Sequence, residues 1–283
     1  MQSILHLTDF SETAREAYRY VIAVAKMHHA IIHIVHVYDR PYASIAYQGG
    51  LSAVVDVEMD RRIREELHNH LRAYAQSEDR KGIEVHTHLI ADHTVWRVSD
   101  YIDKYPGVGL IVMGTRGATS LWHGGLFGTN TARLIRHSPV PVLAIHPKNT
   151  YKPYEKVLIA VDIFEEKSVS VIQKALEYLK PWPQVHITLA VINTPYVFYD
   201  TPTIQGFADR LRSQVNYGSW ELKVYNDISV EEGLRQAMES EKADLLIMGT
   251  HARKGLAQFL FGSVTENVAQ HLSYPLLAIP MTD

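Results

Sequence analysis

The strongest constraint on this chain is that it repeats itself. Val108–Pro147 reads VGLIVMGTRGATSLWHGGLFGTNTARLIRHSPVPVLAIHP, and Ala243–Pro280 reads ADLLIMGTHARKGLAQFLFGSVTENVAQHLSYPLLAIP. Met113-Gly114-Thr115 matches Met248-Gly249-Thr250, Phe127-Gly128-Thr129 matches Phe261-Gly262-Ser263, and Pro141–Ile145 matches Pro275–Ile279. In a chain of 283 residues this means two copies of one domain of ordinary size.

Each copy reads as strand, glycine-bearing loop, helix, strand. Leu245–Met248 is a short apolar run between an acidic residue and Gly249, the pattern of a strand buried on both faces. Gly262-Ser263 then opens a helix whose apolar positions are Val264, Val268 and Leu272. A hydroxyl and close-approaching glycine backbone at a helix start form a plausible cradle for a phosphate. Tight turns of any α/β protein need glycine in these places too, so the glycines alone leave both readings open.

The rest of each half follows the same grammar. Ile4–Leu7 reads as a strand ending at Thr8-Asp9, Ser11-Glu12-Thr13 as a helix start running to about His29, and Ile31–Val37 as a second strand. The second half repeats this as Val157–Val161, Asp162, a helix over about Glu165–Leu179 and a strand over Val185–Ile192. Third strands are expected at Ile83–Ile90 and Trp220–Tyr225, and third helices at about Thr94–Lys104 and Val230–Ser240. A long charged helix over Leu51–Gln76 has a shorter counterpart within Asn193–Val215, whose aromatic start is expected to pack on its own domain. Strands alternating with helices imply a parallel sheet. Residues 1–147 and 155–283 are then the two domains, with 148–154 as a short linker.

No Gly-Lys-Ser/Thr loop of the Walker type occurs, and no Gly-x-Gly-x-x-Gly follows the first strand of either half. The repeated stretch resembles the universal stress protein family in tandem form, over nearly the whole chain. Its nucleotide-binding members carry Gly, two residues, Gly, nine residues, then Gly-Ser/Thr. The second copy matches with Gly249, Ala252 in place of the second glycine, Gly262 and Ser263, followed by Val264 and Thr265. The first copy keeps Gly114 and Gly117 but has ten residues before Gly128-Thr129.

The resemblance implies two flavodoxin- or Rossmann-like α/β domains, each a five-stranded parallel sheet of order 3-2-1-4-5 with helices on both faces. It implies a site for ATP, or for AMP or ADP, with or without magnesium, chiefly in the second half. Asp162, Gly249, His251, Ala252, Arg253, Gly262, Ser263, Val264 and Thr265 would form it, with Asp162 facing the base. Asp9, Gly114, Gly117, Gly128 and Thr129 would form a weaker first-half site. Aspartate at the end of a first strand also suits a cap on the following helix. By the same resemblance the closing strands Val142–Ile145 and Leu276–Ile279 meet, so that the monomer imitates a dimer, and a further homodimer stays open. The implied role is a stress-response switch. Two alternatives stand beside it: a nucleotide-free interaction or assembly module of this fold, and slow ATP hydrolysis.

Composition excludes several other classes. The net charge of −3 gives no general pull toward nucleic acid or anionic membrane. With no cysteine there is no disulfide, thiol catalysis or thiolate metal site. No apolar run spans a bilayer, and the first residues do not read as a signal peptide, so the expected location is the cytoplasm. No catalytic set of residues can be assembled, and efficient catalysis is not expected. Of the sixteen histidines, His86 and His88 share a strand face, but no metal site is expected.

Overall fold

A computed structural model describes residues 1–38, 52–76, 80–91, 102, 105, 107–115, 129–215, 220–250 and 273–281, without the side chains of 52–57 and 129–130. The first half comprises β1 Ser3–Leu7, α1 Glu12–His28, β2 Ile31–Tyr38, α2 Ser52–Ala75, β3 Val85–Ala91, β4 Val108–Gly114, α3 Thr129–His137 and β5 Val142–Ile145. The second comprises β6 Lys156–Ala160, α4 Ser168–Leu179, β7 His186–Asn193, α5 Thr201–Gln214, β8 Trp220–Asn226, α6 Val230–Glu241, β9 Leu245–Thr250 and β10 Leu276–Pro280. Most of the expected helix at 94–104, and the one opening at Gly262, lie outside the described residues.

These strands form one sheet in the order β3-β2-β1-β4-β5-β10-β9-β6-β7-β8. Within each half the order is 3-2-1-4-5 and every pairing is parallel. Where the halves meet, β5 and β10 pair antiparallel, with Leu277 opposite Leu143 and Ala278 opposite Val142. Two apolar edges that would otherwise invite foreign strands are thereby consumed.

The central strands are mostly apolar because helices cover both faces of the sheet. Ile4, Ile32, Leu110, Val157 and Ile247 point into a core shared with α1, α2, α4 and α5. Alternate residues Leu5, Val35, Ile111, Leu158 and Leu246 point into the opposite core, with Leu134 of α3 and Leu234 of α6.

Local signals set the helix ends. Ser11 is the extended N-cap of α1, its hydroxyl accepting the Ala14 amide at 3.2 Å, and His29 closes the helix in the left-handed region at φ 53°. In the second half the helix begins at Ser168 and not at Glu165. Asp162 bends the chain first: its Oδ1 accepts the Phe164 amide at 3.0 Å, and its carbonyl accepts the Ser168 hydroxyl at 2.5 Å.

The segment between the halves is held from both sides. Asp244, only 8% exposed, accepts the amides of Glu155 and Lys156 at 2.9 Å each and pairs with the Lys152 ammonium. Asn149 donates to the Ser273 carbonyl at 2.7 Å. Across the halves, His28 of α1 bonds the Tyr178 carbonyl of α4 at 3.0 Å and packs on the Tyr178 and Trp182 rings.

Candidate functional site at the carboxyl ends of the strands

In a doubly wound sheet the strand order reverses beside the first strand, and the crevice outside the carboxyl ends there is where ligands sit. In the second half that place lies between β6 and β9. Ala160, Asp162, Ser168, Val171, Met248, Gly249 and Met281 line a small crevice open to solvent. The structure thus brings together Asp162 and Gly249, which are 87 positions apart in sequence. His251, Ala252, Arg253, Gly262, Ser263, Val264 and Thr265 lie outside the described residues.

Asp162 does not cap α4. The N-cap position is Lys167, which makes no side-chain cap bond. The carboxylate instead takes two donors on Oδ1: the Phe164 amide and, at 2.8 Å, the Tyr199 hydroxyl. Burial, and this bond to an anion, push the Tyr199 phenol well above its ordinary range. Tyr199 is placed by its neighbours. Its amide donates to Asn193 Oδ1 at 2.9 Å, its carbonyl accepts from Asn193 Nδ2, and the next residue, Asp200, is the N-cap of α5.

The aromatic start of this segment therefore divides, against the expectation that it packs as a whole. Tyr199 is buried, whereas Tyr196 and Phe198 are 92% and 72% exposed. Phe164, 68% exposed, lies 4.9 Å from the Tyr199 ring. Sequence reasoning missed Tyr199. The signal was Asp200-Thr201-Pro202, an N-cap followed by a proline at the start of a helix, which fixes the residue just before it.

Gly249 is closely covered. A Cβ built on it would stand 2.1 Å from the Met281 Cε and 3.1 Å from Val171 Cγ2, so only glycine leaves room for the methionine methyl. Met281 is the residue following β10, held by its amide to the Thr250 carbonyl at 2.8 Å. No sequence signal singled it out.

The first half arranges its matching residues differently. Asp9 is exposed and turns the chain, its Oδ1 accepting the Ser11 amide at 3.1 Å, while Ser11 does the capping. Phe10 between them takes φ 63°, a left-handed conformation that costs a non-glycine residue of order 1 kcal/mol. Its ring packs 4.4 Å from His36. Gly114 faces Thr13, whose Cγ2 would be 2.7 Å from an added Cβ. Thr13 follows Asp9 by four positions, and Val171, which faces Gly249, follows Asp162 by nine. Gly117 and Gly128 lie outside the described residues, and Thr129 is the first residue of α3.

Beneath Asp9 lies a buried polar chain. His6 is fully buried, with Nδ1 at 3.2 Å from the Val112 carbonyl and Nε2 at 2.9 Å from the Tyr74 hydroxyl. That hydroxyl donates to the Ala14 carbonyl at 2.7 Å, tying α2 to α1 and β1. Burial lowers the His6 pKa to about 4, the Val112 bond and Asp9 opposing only in part, so the ring is neutral at pH 7.

Fold and crevice together define a doubly wound α/β protein in tandem, with a carboxylate and a glycine converging where the second half reverses its strand order. The model of the universal stress protein family matches residues 1–146 and 221–280, and the chain belongs to that family. It is 26% identical over 299 residues to the universal stress protein Slr1230 of Synechocystis, covering 98% of this chain and 99% of that one. With the universal stress protein Rv2623 of Mycobacterium tuberculosis it shares 27% identity over 201 residues, and the match spans 64% of that relative's length. A universal stress protein of Archaeoglobus fulgidus superposes with a TM-score of 0.72 at 17% identity, over 99% of this chain and 98% of the other, a likeness of fold. Among the described residues no helix is long and apolar enough to cross a membrane.

Proposed function

We propose that the second half, residues 155–283, binds an adenine nucleotide, ATP or its ADP or AMP relatives, with or without magnesium. Residues 1–147 would form the companion domain, joined by 148–154. Asp162 faces the base, and Gly249, Gly262, Ser263 and Thr265 hold ribose and phosphates at a helix start. Occupancy biases conformation or partner choice in a cytoplasmic stress response, so the protein acts as a switch and not as a catalyst. The observation that carries this reading is the convergence of Asp162 and Gly249 on one crevice at the point where the strand order reverses.

Calorimetric titration of ATP into protein stripped of small molecules tests it. Saturable binding near one equivalent, weakened at least about tenfold by Asp162→Ala or Gly262→Val, is the expected result. The specific observations for a second reading, an interaction module without nucleotide, are the Met281 methyl seated on Gly249 and the exposure of Phe164, Tyr196 and Phe198. Absence of binding heat, with no nucleotide released on denaturation, would establish that reading instead.

A further inference from the structure

Three successive loops at the carboxyl end of the second half carry the most exposed large apolar side chains among the described residues. Phe164 follows β6, Tyr196 and Phe198 follow β7, and Ile228 follows β8; each is at least 68% exposed, and the next in order, Met59, is 54%. Because β6, β7 and β8 are parallel neighbours, these loops leave the sheet side by side. Together the four side chains expose on the order of 500 Å², as much as the largest apolar patch of a typical soluble monomer.

Hydrogen bonds tie the three loops to one another. Tyr199, whose ring lies 4.9 Å from that of Phe164, joins the second loop to the first through Asp162. The Asn193 carbonyl accepts the Asp227 amide at 3.0 Å and joins the second to the third. Within the middle loop the Thr194 hydroxyl accepts the Tyr196 and Val197 amides at 3.3 and 3.1 Å, which fixes the turn that carries Tyr196. A surface already ordered in this way loses little entropy when a partner settles on it.

Charge decides what fits there. Residues 162–167, 194–200 and 227–229 carry five carboxylates, Asp162, Glu165, Glu166, Asp200 and Asp227, against one ammonium, Lys167, and none of the six residues is buried. Apposing the same surface of a second copy would set these carboxylates against their equivalents, and the phosphates of nucleic acid or anionic lipid are repelled as well. We infer that this surface docks a cationic amphipathic segment of another protein, with its apolar side chains among Phe164, Tyr196, Phe198 and Ile228 and its Lys or Arg side chains on the carboxylates around them. Such docking goes beyond nucleotide binding and does not depend on it.

The test uses the full chain, stripped of nucleotide, and a fluorescent synthetic peptide of lysine and leucine patterned as an amphipathic helix, followed by anisotropy. The expected result is saturable binding that fades as salt is raised, weakens about tenfold or more in the double variant Tyr196→Ser/Phe198→Ser and several-fold in Glu166→Lys, and is unchanged in Met59→Ser on α2. Equal affinity for the counterpart peptide with glutamate in place of lysine overturns the inference, as does affinity unaltered in the first two variants. So does a dimer in analytical ultracentrifugation that the double variant dissolves, because the occupant is then a second copy, or binding to neutral lipid vesicles that the same variant abolishes. Should a variant fail to fold, the amide resonances of Phe164, Tyr196, Phe198 and Ile228 in the unaltered chain decide: they shift with the peptide, or the inference falls. A failure of ATP to bind would remove the nucleotide function proposed above and leave this result standing.

Discussion

The Tyr199 hydroxyl donates to Asp162 Oδ1 at 2.8 Å, so the carboxylate at the end of β6 is oriented by a residue from the loop after β7. Tyr199→Phe removes that donor and leaves the ring in place. Loss of one hydrogen bond to a charged group should lower stability by about 1–2 kcal/mol and, where Asp162 faces a bound base, weaken ATP several-fold. Urea denaturation and calorimetry measure the two effects separately. Unchanged stability would mean that Asp162 holds its orientation without the phenol.

The two strand-end glycines should respond unequally to alanine. At Gly114 the new methyl meets Thr13, a β-branched residue whose own backbone carbon is 3.2 Å away. At Gly249 the nearest atom is the far end of flexible Met281. Gly114→Ala should therefore cost about 2–3 kcal/mol and Gly249→Ala about 1 kcal/mol or less. Adding Met281→Ala should offset part of the strain in the second variant only. Equal urea midpoints for the two single variants would contradict this.

Acid should destabilise the first half through His6. Its folded pKa lies below the unfolded value, so between pH 6.5 and about 4 the unfolded chain binds a proton that the folded one refuses. Stability is full above pH 6.5 and declines as pH falls, by roughly 3 kcal/mol at the lower end for this group. His28, His33, His36 and His88 are lowered too, and act in the same direction. Replacing His6 by Gln should flatten the pH slope by about one proton; a slope as steep as before would place the effect elsewhere.

Asp244→Ala should loosen the joint between the halves. It leaves the amides of Glu155 and Lys156 without their acceptor and Lys152 without its partner. The expected loss is about 2–3 kcal/mol, with faster hydrogen exchange at those two amides. Protection equal to that of the unaltered chain would show that the sheet alone holds the segment.

Much of this fold is legible in the residues. A run as short as Leu245–Met248, ended by a glycine, reads as a strand covered on both faces, and the repeat makes one half a control on the other. The order 3-2-1-4-5 came instead from the family likeness, since pairing is a long-range choice that periodicity does not encode. Asp162 and Gly249 were legible because they end strands. Tyr199 and Met281 were not: one acts through a loop turned by Asn193, the other through a backbone bond beyond the last strand.

The antiparallel seam of β5 and β10 reverses direction halfway across the sheet. Carboxyl ends of the first half therefore point one way and those of the second the other, so Asp9 and the crevice at Asp162 lie on opposite rims. One small molecule cannot touch both. Any conversation between them has to cross the seam of β5 and β10 as well as the length of the strands.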